Sequence, residues 1–177
     1  MLRKIGIVFC VLLTFFAQST SAQDPPAAKP ADVESIDAIM KAVYDVISGP
    51  ADAKRDWDRF RSLFIPEAQL ISSGPRREGE GFGYRVLSSE DYVTGAGPML
   101  EKDGFFEQEL NRVVEQFGQI AHVFSTYESR RSLDDAEAFA RGINSFQLMN
   151  DGKRWWVVSI YWTSERADLP IPKKYLP

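Results

Sequence analysis

The sequence predicts an α+β fold, with N-terminal helices packed on the concave face of a cone-shaped, curved, mostly antiparallel sheet. Three observations carry this expectation. Two stretches in the first half of the chain place apolar residues at helical spacing. The last third is rich in β-branched and aromatic residues. Between its final two apolar runs stands Asn150-Asp151-Gly152, a strong hairpin signal.

The elements follow in order. Arg3 and Lys4 precede the apolar run 5–17 (IGIVFCVLLTFFA), and Thr20 and Ala22 suit a cut before Gln23. That is the layout of a secretory signal peptide over residues 1–22. The run is shorter than the ~20 residues of a spanning helix, so no stable membrane anchor is expected after cleavage. Residues 23–32 (QDPPAAKPAD) read as an extended, solvated Pro/Ala-rich spacer. The domain is expected over 33–166 and an irregular, proline-marked tail over 167–177.

Ile36, Ile39, Met40, Val43 and Ile47 share one helical face. Asp32 or Ser35 can cap that helix, and Gly49-Pro50 stops it. A second helix is expected over 56–64, with Trp57, Phe60, Leu63 and Phe64 on its apolar side. Pro66 ends it, and 68–73 reads as a strand. The polar loop GPRREGEG leads to Phe82, Tyr84 and Val86, alternating as in a second strand. Ser88 or Ser89 caps a helix near 90–100, made irregular by Gly95, Gly97 and Pro98. Phe106, Leu110, Val113, Val114 and Phe117 fit a helical period, so periodicity alone favours a helix over 106–117. Strands are expected over 120–131, 139–149 and 154–163. A cone built this way has an apolar interior and a mouth, the usual setting for a small-molecule pocket.

Composition narrows the function classes. The 177 residues are 44% hydrophobic and 26% charged, which excludes a disordered chain. The formal charge of −4 offers no basic field for nucleic acid. One cysteine, inside the leader, and one histidine exclude disulfide scaffolds and make a zinc or iron site improbable. No nucleophile elbow, phosphate loop or dinucleotide fingerprint occurs, and Gly79, Gly81 and Gly83 read as a loop beside the mouth. No cofactor and no metal is expected.

The chain resembles the nuclear transport factor 2-like superfamily, which includes ketosteroid isomerase and the SnoaL-like polyketide cyclases. The resemblance rests on WDRFRSLFIPEAQLI (57–71), FGQIAHVFSTYESRR (117–131) and INSFQLMNDGKRWWVVSIYWTSE (143–165). It also rests on the early apolar helix and on a helix after the first hairpin. These pieces span most of 33–166, and none is a catalytic motif. The resemblance implies a long strand before 120–131, so 106–117 is assigned to strand, joined to the next by a tight turn at Gly118-Gln119. It also implies a homodimer through the sheet.

The candidate site residues are few. His122 is the only histidine, and histidine is the side chain that changes charge near neutrality. Strand alternation groups it with Phe124, Thr126, Glu128 and Arg130. If that face lines the cone, His122 can serve as acid or base; otherwise it is a hydrogen-bonded sheet residue. Trp57, Phe60, Tyr84, Tyr127 and Tyr161 are expected to wall a ligand pocket, and Tyr92 is a further phenolic donor. Each is equally a packed aromatic. Glu128, Arg130 and Arg131 form either a carboxylate-binding end or a solvated rim. The carboxylate base and donors of isomerase chemistry match no positions by sequence. Trp155 and Trp156 are adjacent on a strand, so at most one points inward.

The function read from the sequence is therefore an exported, periplasmic or secreted domain that binds a small, mostly apolar molecule. The alternatives are a cofactor-free SnoaL- or isomerase-type enzyme using His122, and a structural dimerisation or interaction module.

Overall fold

A computed structural model describes residues 25–177, and the leader and its cleavage point lie outside the described residues. The spacer expected over 23–32 ends early. Ala28 packs on the core, and α1 (Pro30–Val33) is already helical. The Asp32 carboxylate takes both Nε and Nη2 of Arg59, at 2.7 and 2.8 Å. That bidentate pair ties the entry of the domain to α3 (Trp57–Ser62) and holds the Asp32 carboxyl below its usual range.

Helix α2 (Ile36–Ile47) starts where Ser35 accepts from the Ala38 N–H at 3.0 Å. It buries Ile39, Met40, Val43, Val46 and Ile47. Helix α3 (Trp57–Ser62) is capped by Asp56 and is shorter than the sequence suggests. Its last expected residue, Phe64, instead opens β1 (Phe64–Pro75). Strand β2 (Phe82–Leu87) folds back on β1. Helix α4 (Ser89–Asp103) begins with a capping box between Ser88 and Asp91 and carries Pro98 inside. It ends at Gly104, whose φ of 72° favours glycine, and where a Cβ would lie 2.6 Å from the Arg131 carbonyl. Among the described residues no helix is long and apolar enough to cross a membrane.

The second half is a meander of β3 (Phe106–Phe117), β4 (Ile120–Arg130), β5 (Ala140–Asn150) and β6 (Trp155–Ser164). The six strands form one sheet in the order β2-β1-β6-β5-β4-β3, antiparallel except where β1 meets β6. The curved sheet wraps the helices into a half-open cone, and the core lies between them.

Residues 106–117 are a strand, and the helical look of their apolar pattern has a physical cause. Glu109 pairs with Tyr127 and Asn111 with Thr126, so Leu110 is an extra residue in the ladder. A bulge reverses which parity of residue faces the core. Glu107 and Glu109 point inward before it, on the side of buried Ser129 and Tyr127. After it, Arg112 and Val114 oppose buried Ser125 and Val123. A period-2 pattern with one slip imitates a longer period.

Past β6 the tail lies along the outer face of the sheet. Thr126 donates to the Tyr175 carbonyl at 2.7 Å, and the Asn111 amide to that of Leu176 at 3.3 Å. The Phe124 and Tyr175 rings meet at 5.0 Å.

Candidate functional site

The concave face encloses a cavity of about 250 Å³. Its floor comes from inward positions of the sheet: Leu70 of β1, Tyr127 and Ser129 of β4, Ala140, Asn144 and Phe146 of β5, and Ile160 and Trp162 of β6. Alternation places these residues together, since i, i+2 and i+4 share a face. The roof is Val43, Tyr44 and Ile47 of α2, Phe60 of α3, and Tyr92, Ala96 and Leu100 of α4. The mouth lies at Met99 and Phe139, each 50% exposed. There the Arg131 guanidinium sits 4.4 Å from the Phe139 ring centroid and donates to the Gly104 carbonyl.

Among the described residues the lining is aromatic and aliphatic apart from Ser129, Asn144 and one acid, Glu107, with no Lys, Arg or His. The Glu107 carboxyl accepts from Ser129 Oγ at 2.9 Å and from Asn144 Nδ2 at 3.3 Å. Burial raises its pKa to about 7, more than these two donors lower it. A carboxyl poised near neutrality inside an apolar cavity marks a candidate functional group.

A directed chain of hydrogen bonds leads away from it. Asn144 Nδ2 also donates to the Tyr44 hydroxyl at 3.1 Å. Tyr44 and Ser125 hydroxyls are 2.7 Å apart, and Ser125 donates its proton to Glu109 at 2.6 Å. Serine has one proton, so Tyr44 must be the donor to Ser125. Glu109 in turn faces Arg112 at 3.4 Å, and Arg112 reaches Asp37 at 3.1 Å. The chain thus runs from the cavity to a surface cleft that holds Asp37, Lys41 and Glu109, with Glu107 and Tyr44 in the wall between.

The other two phenols serve the cavity directly. Tyr92 stacks on Phe60 at 5.4 Å. Burial raises its pKa and the Glu107 charge adds to that, so it stays a phenol. Burial pushes the Tyr127 hydroxyl up to about 12, and its oxygen lies 3.3 Å from Ser164 Oγ. Gly142 makes room for it, because a Cβ there would come within 2.6 Å of the Tyr127 oxygen.

Of the residues picked from sequence, Phe60, Tyr127 and Tyr92 line the cavity. Trp57 stands behind it, edge-on to Phe60 and 3.0 Å from where a Gly97 Cβ would be, with Nε1–H donating to Glu101 at 2.9 Å. Tyr84 and Tyr161 lie on the outer face, in a shallow depression with Ile71, Ser145, Gln147 and Ser159. His122 also faces outward, away from the cone interior that the sequence reading allowed it. Its neighbours in the strand, Ala121 and Val123, take the inward side. Its Nε2 is 2.9 Å from Ser145 Oγ and its Nδ1 is 3.7 Å from Glu115. Phe124, Thr126, Glu128 and Arg130 share that face, and Glu128 is bonded to Arg130 and Gln108 as a rim ion pair. Of the tryptophan pair, Trp155 is buried, while Trp156 lies under the Arg154 guanidinium at 3.6 Å.

Glu107 and Asn144 were missed by sequence reasoning. The available signal was alternation: once 106–117 is a strand, Phe105, Glu107 and Glu109 share a face until the bulge. An acid on the aromatic side of a strand is the unusual residue to look for.

No protein-family model matches the sequence, and no curated protein matches it. Solved structures do resemble the fold. A protein of unknown function with a cystatin-like fold from Nostoc punctiforme superposes with a TM-score of 0.56 at 13% identity, over 77% of this chain and 92% of that one. A protein of the NTF2-like family from Streptomyces avermitilis gives 0.54 at 16% identity, over 77% and 97%. An NTF2-like protein of unknown function from Silicibacter pomeroyi gives 0.50 at 15% identity, over 75% and 94%. Identities this low speak for architecture alone. The cone, the strand order and these superpositions agree that the chain has the nuclear transport factor 2-like fold.

Proposed function

We propose that the protein binds a small, mostly apolar molecule in the cone, with a polar end directed at Glu107. The observation that carries this reading is an apolar, aromatic-walled cavity with a single buried carboxyl at its floor. The test is ligand-observed NMR with a panel of small aromatic compounds, on the wild type and on Ala96→Trp. Ala96 lines the roof, so the indole should fill the space. Saturation transfer to the wild type that disappears in Ala96→Trp is the expected result. Equal transfer to both proteins would place binding elsewhere.

A second reading, a cofactor-free acid/base enzyme, is favoured by the Glu107 pKa of about 7. In that reading Glu107 holds or takes the proton, and His122 has no contact with the reacting molecule.

Two further proposals concern setting and assembly. Export, with cleavage near Ala22, is supported by the charged, apolar and small-residue order of residues 1–22. The mass of the protein recovered from an exporting host tests it. A homodimer through the sheet is supported by Phe82, Tyr84, Val86 and Tyr161, exposed on the outer face of the β2–β1–β6 half. The C-terminal tail covers the β3–β4 half instead. Sedimentation of Tyr84→Glu against wild type tests this contact; equal masses would remove that half of the sheet as the interface.

A further inference from the structure

We infer that the cavity selects an apolar amine, a compact hydrocarbon or aromatic skeleton ending in an ammonium group that meets the Glu107 carboxylate. This rests on the binding reading above and adds the sign of the ligand's charge.

Charge is the first argument. Among the described residues Glu107 is the only acid in the lining, and no cation lines the cavity with it. The nearby charges belong to other partners. Glu109 and Arg112 of β3 face each other and Asp37, beyond the Tyr44–Ser125 bond. Arg131 at the mouth is tied to the Gly104 carbonyl. The remaining titratable groups around Glu107 are Tyr44 of α2, Tyr92 of α4 and Tyr127 of β4. A carboxylate or phosphate ligand would meet a like charge without a counter-ion in a low-dielectric site.

Hydrogen-bond valence is the second argument. An ionised carboxylate offers about four acceptor positions. Ser129 and Asn144 fill two of them. None of the three phenols is bonded to Glu107, and the Tyr44 proton is committed to Ser125. The open positions call for a donor, and an ammonium brings three.

The walls are the third argument. Tyr44, Tyr92, Tyr127 and Trp162 surround the same space, and aromatic faces attract a desolvated cation. Burial without a counter-charge is what keeps Glu107 near neutrality. A bound ammonium replaces the lost hydration and returns the group to its ionised state.

The experiment uses three probes of one shape: 2-phenylethylamine, 2-phenylethanol and phenylacetate. Each is titrated by calorimetry and by amide chemical shift into wild type at pH 8.5 and pH 5.5, and into Glu107→Gln. The expected result is that the amine binds roughly tenfold or more tightly than the alcohol at pH 8.5, with the carboxylate weakest. That preference should collapse at pH 5.5, where Glu107 is protonated, and in Glu107→Gln. The wild-type pH comparison stands by itself if the variant does not fold. If the alcohol or the carboxylate binds as well as the amine, the charge inference is overturned while the cavity reading stands. If none of the three shifts a cavity residue, both fall.

Discussion

The two faces of the same sheet follow different rules. On the concave face the strands present Val123, Phe146, Leu148 and Val157, all nearly inaccessible, and Phe146 also lines the cavity. Polar side chains there are few, and those near the cavity are drawn into one network: Ser129, Asn144, Tyr44 and Ser125 spend their bonds on Glu107, Glu109 and one another. On the outer face the polar groups are many and independent. His122 meets Ser145, Glu128 meets Arg130, and Trp156 meets Asp151 and Arg154, each a separate local contact. The lesson is about dielectric. On the outer face a carboxylate keeps its charge and donors hold it low, as the Trp156 N–H holds Asp151 at about 2, whereas burial pushes Glu107 the other way, to about 7.

Four measurements would break or sharpen that contrast. The largest effect should come from Phe146→Ala, which opens a void in the concave core and should cost about 3–5 kcal/mol in urea unfolding. Phe117→Ala, at an exposed position of β3 outside the proposed dimer contact, should stay within roughly 0.5 kcal/mol of wild type. Comparable losses from both would show that the two faces are not energetically distinct.

Next is Glu107→Gln. Its folded pKa of about 7 exceeds the ordinary carboxyl value of 4.5, so the folded state holds this proton more tightly than the unfolded state. The stability this contributes is present below the unfolded value and is lost as pH rises through about 7. The variant should therefore be more stable than wild type at pH 8.5, by up to roughly 3 kcal/mol, and near parity at pH 4. A difference that does not change with pH would mean that Glu107 titrates alike in both states.

A smaller effect is expected from Thr126→Val, which removes the donor to the Tyr175 carbonyl on the outer face. It should cost about 1 kcal/mol and make the tail more sensitive to carboxypeptidase. Unchanged digestion would show that the tail is held instead by the Phe124–Tyr175 contact and by buried Ile171, whose N–H donates to Glu165 at 3.0 Å. The smallest should be His122→Ala. It should alter stability by no more than roughly 0.5 kcal/mol and leave cavity binding unchanged. Weakened binding of an aromatic probe would couple the outer face to the cavity and undo the separation of the two.

Much of the fold was legible before any coordinates. The α2 face, the Ser35 cap, the Ser88 cap, the Phe82–Tyr84–Val86 alternation and the Asn150-Asp151-Gly152 turn are local signals that the structure keeps. The site was less legible. Phe60, Tyr92 and Tyr127 were named and do line the cavity, but Tyr84, Tyr161 and His122 were grouped with them without a way to know which face was inner. Alternation divides a strand into two sets and does not label them. Glu107 escaped notice because its segment carries a bulge at Leu110, which blurs the period on which the reading depended.

The sequence by itself determined the class of fold, the order of most of its helices and strands, several of their caps and turns, and a net negative charge with one histidine and one cysteine. These follow from neighbours a few residues apart, where periodicity and turn chemistry act. Only the tertiary structure decided that Glu107, Asn144, Ser129 and Tyr44 meet, that His122 is turned away, and that residues 28–33 and the C-terminal tail pack on the domain. The reason is physical: burial, and with it the value of a charge or a hydrogen bond, depends on which distant segments close over a residue, and no short window of sequence contains them.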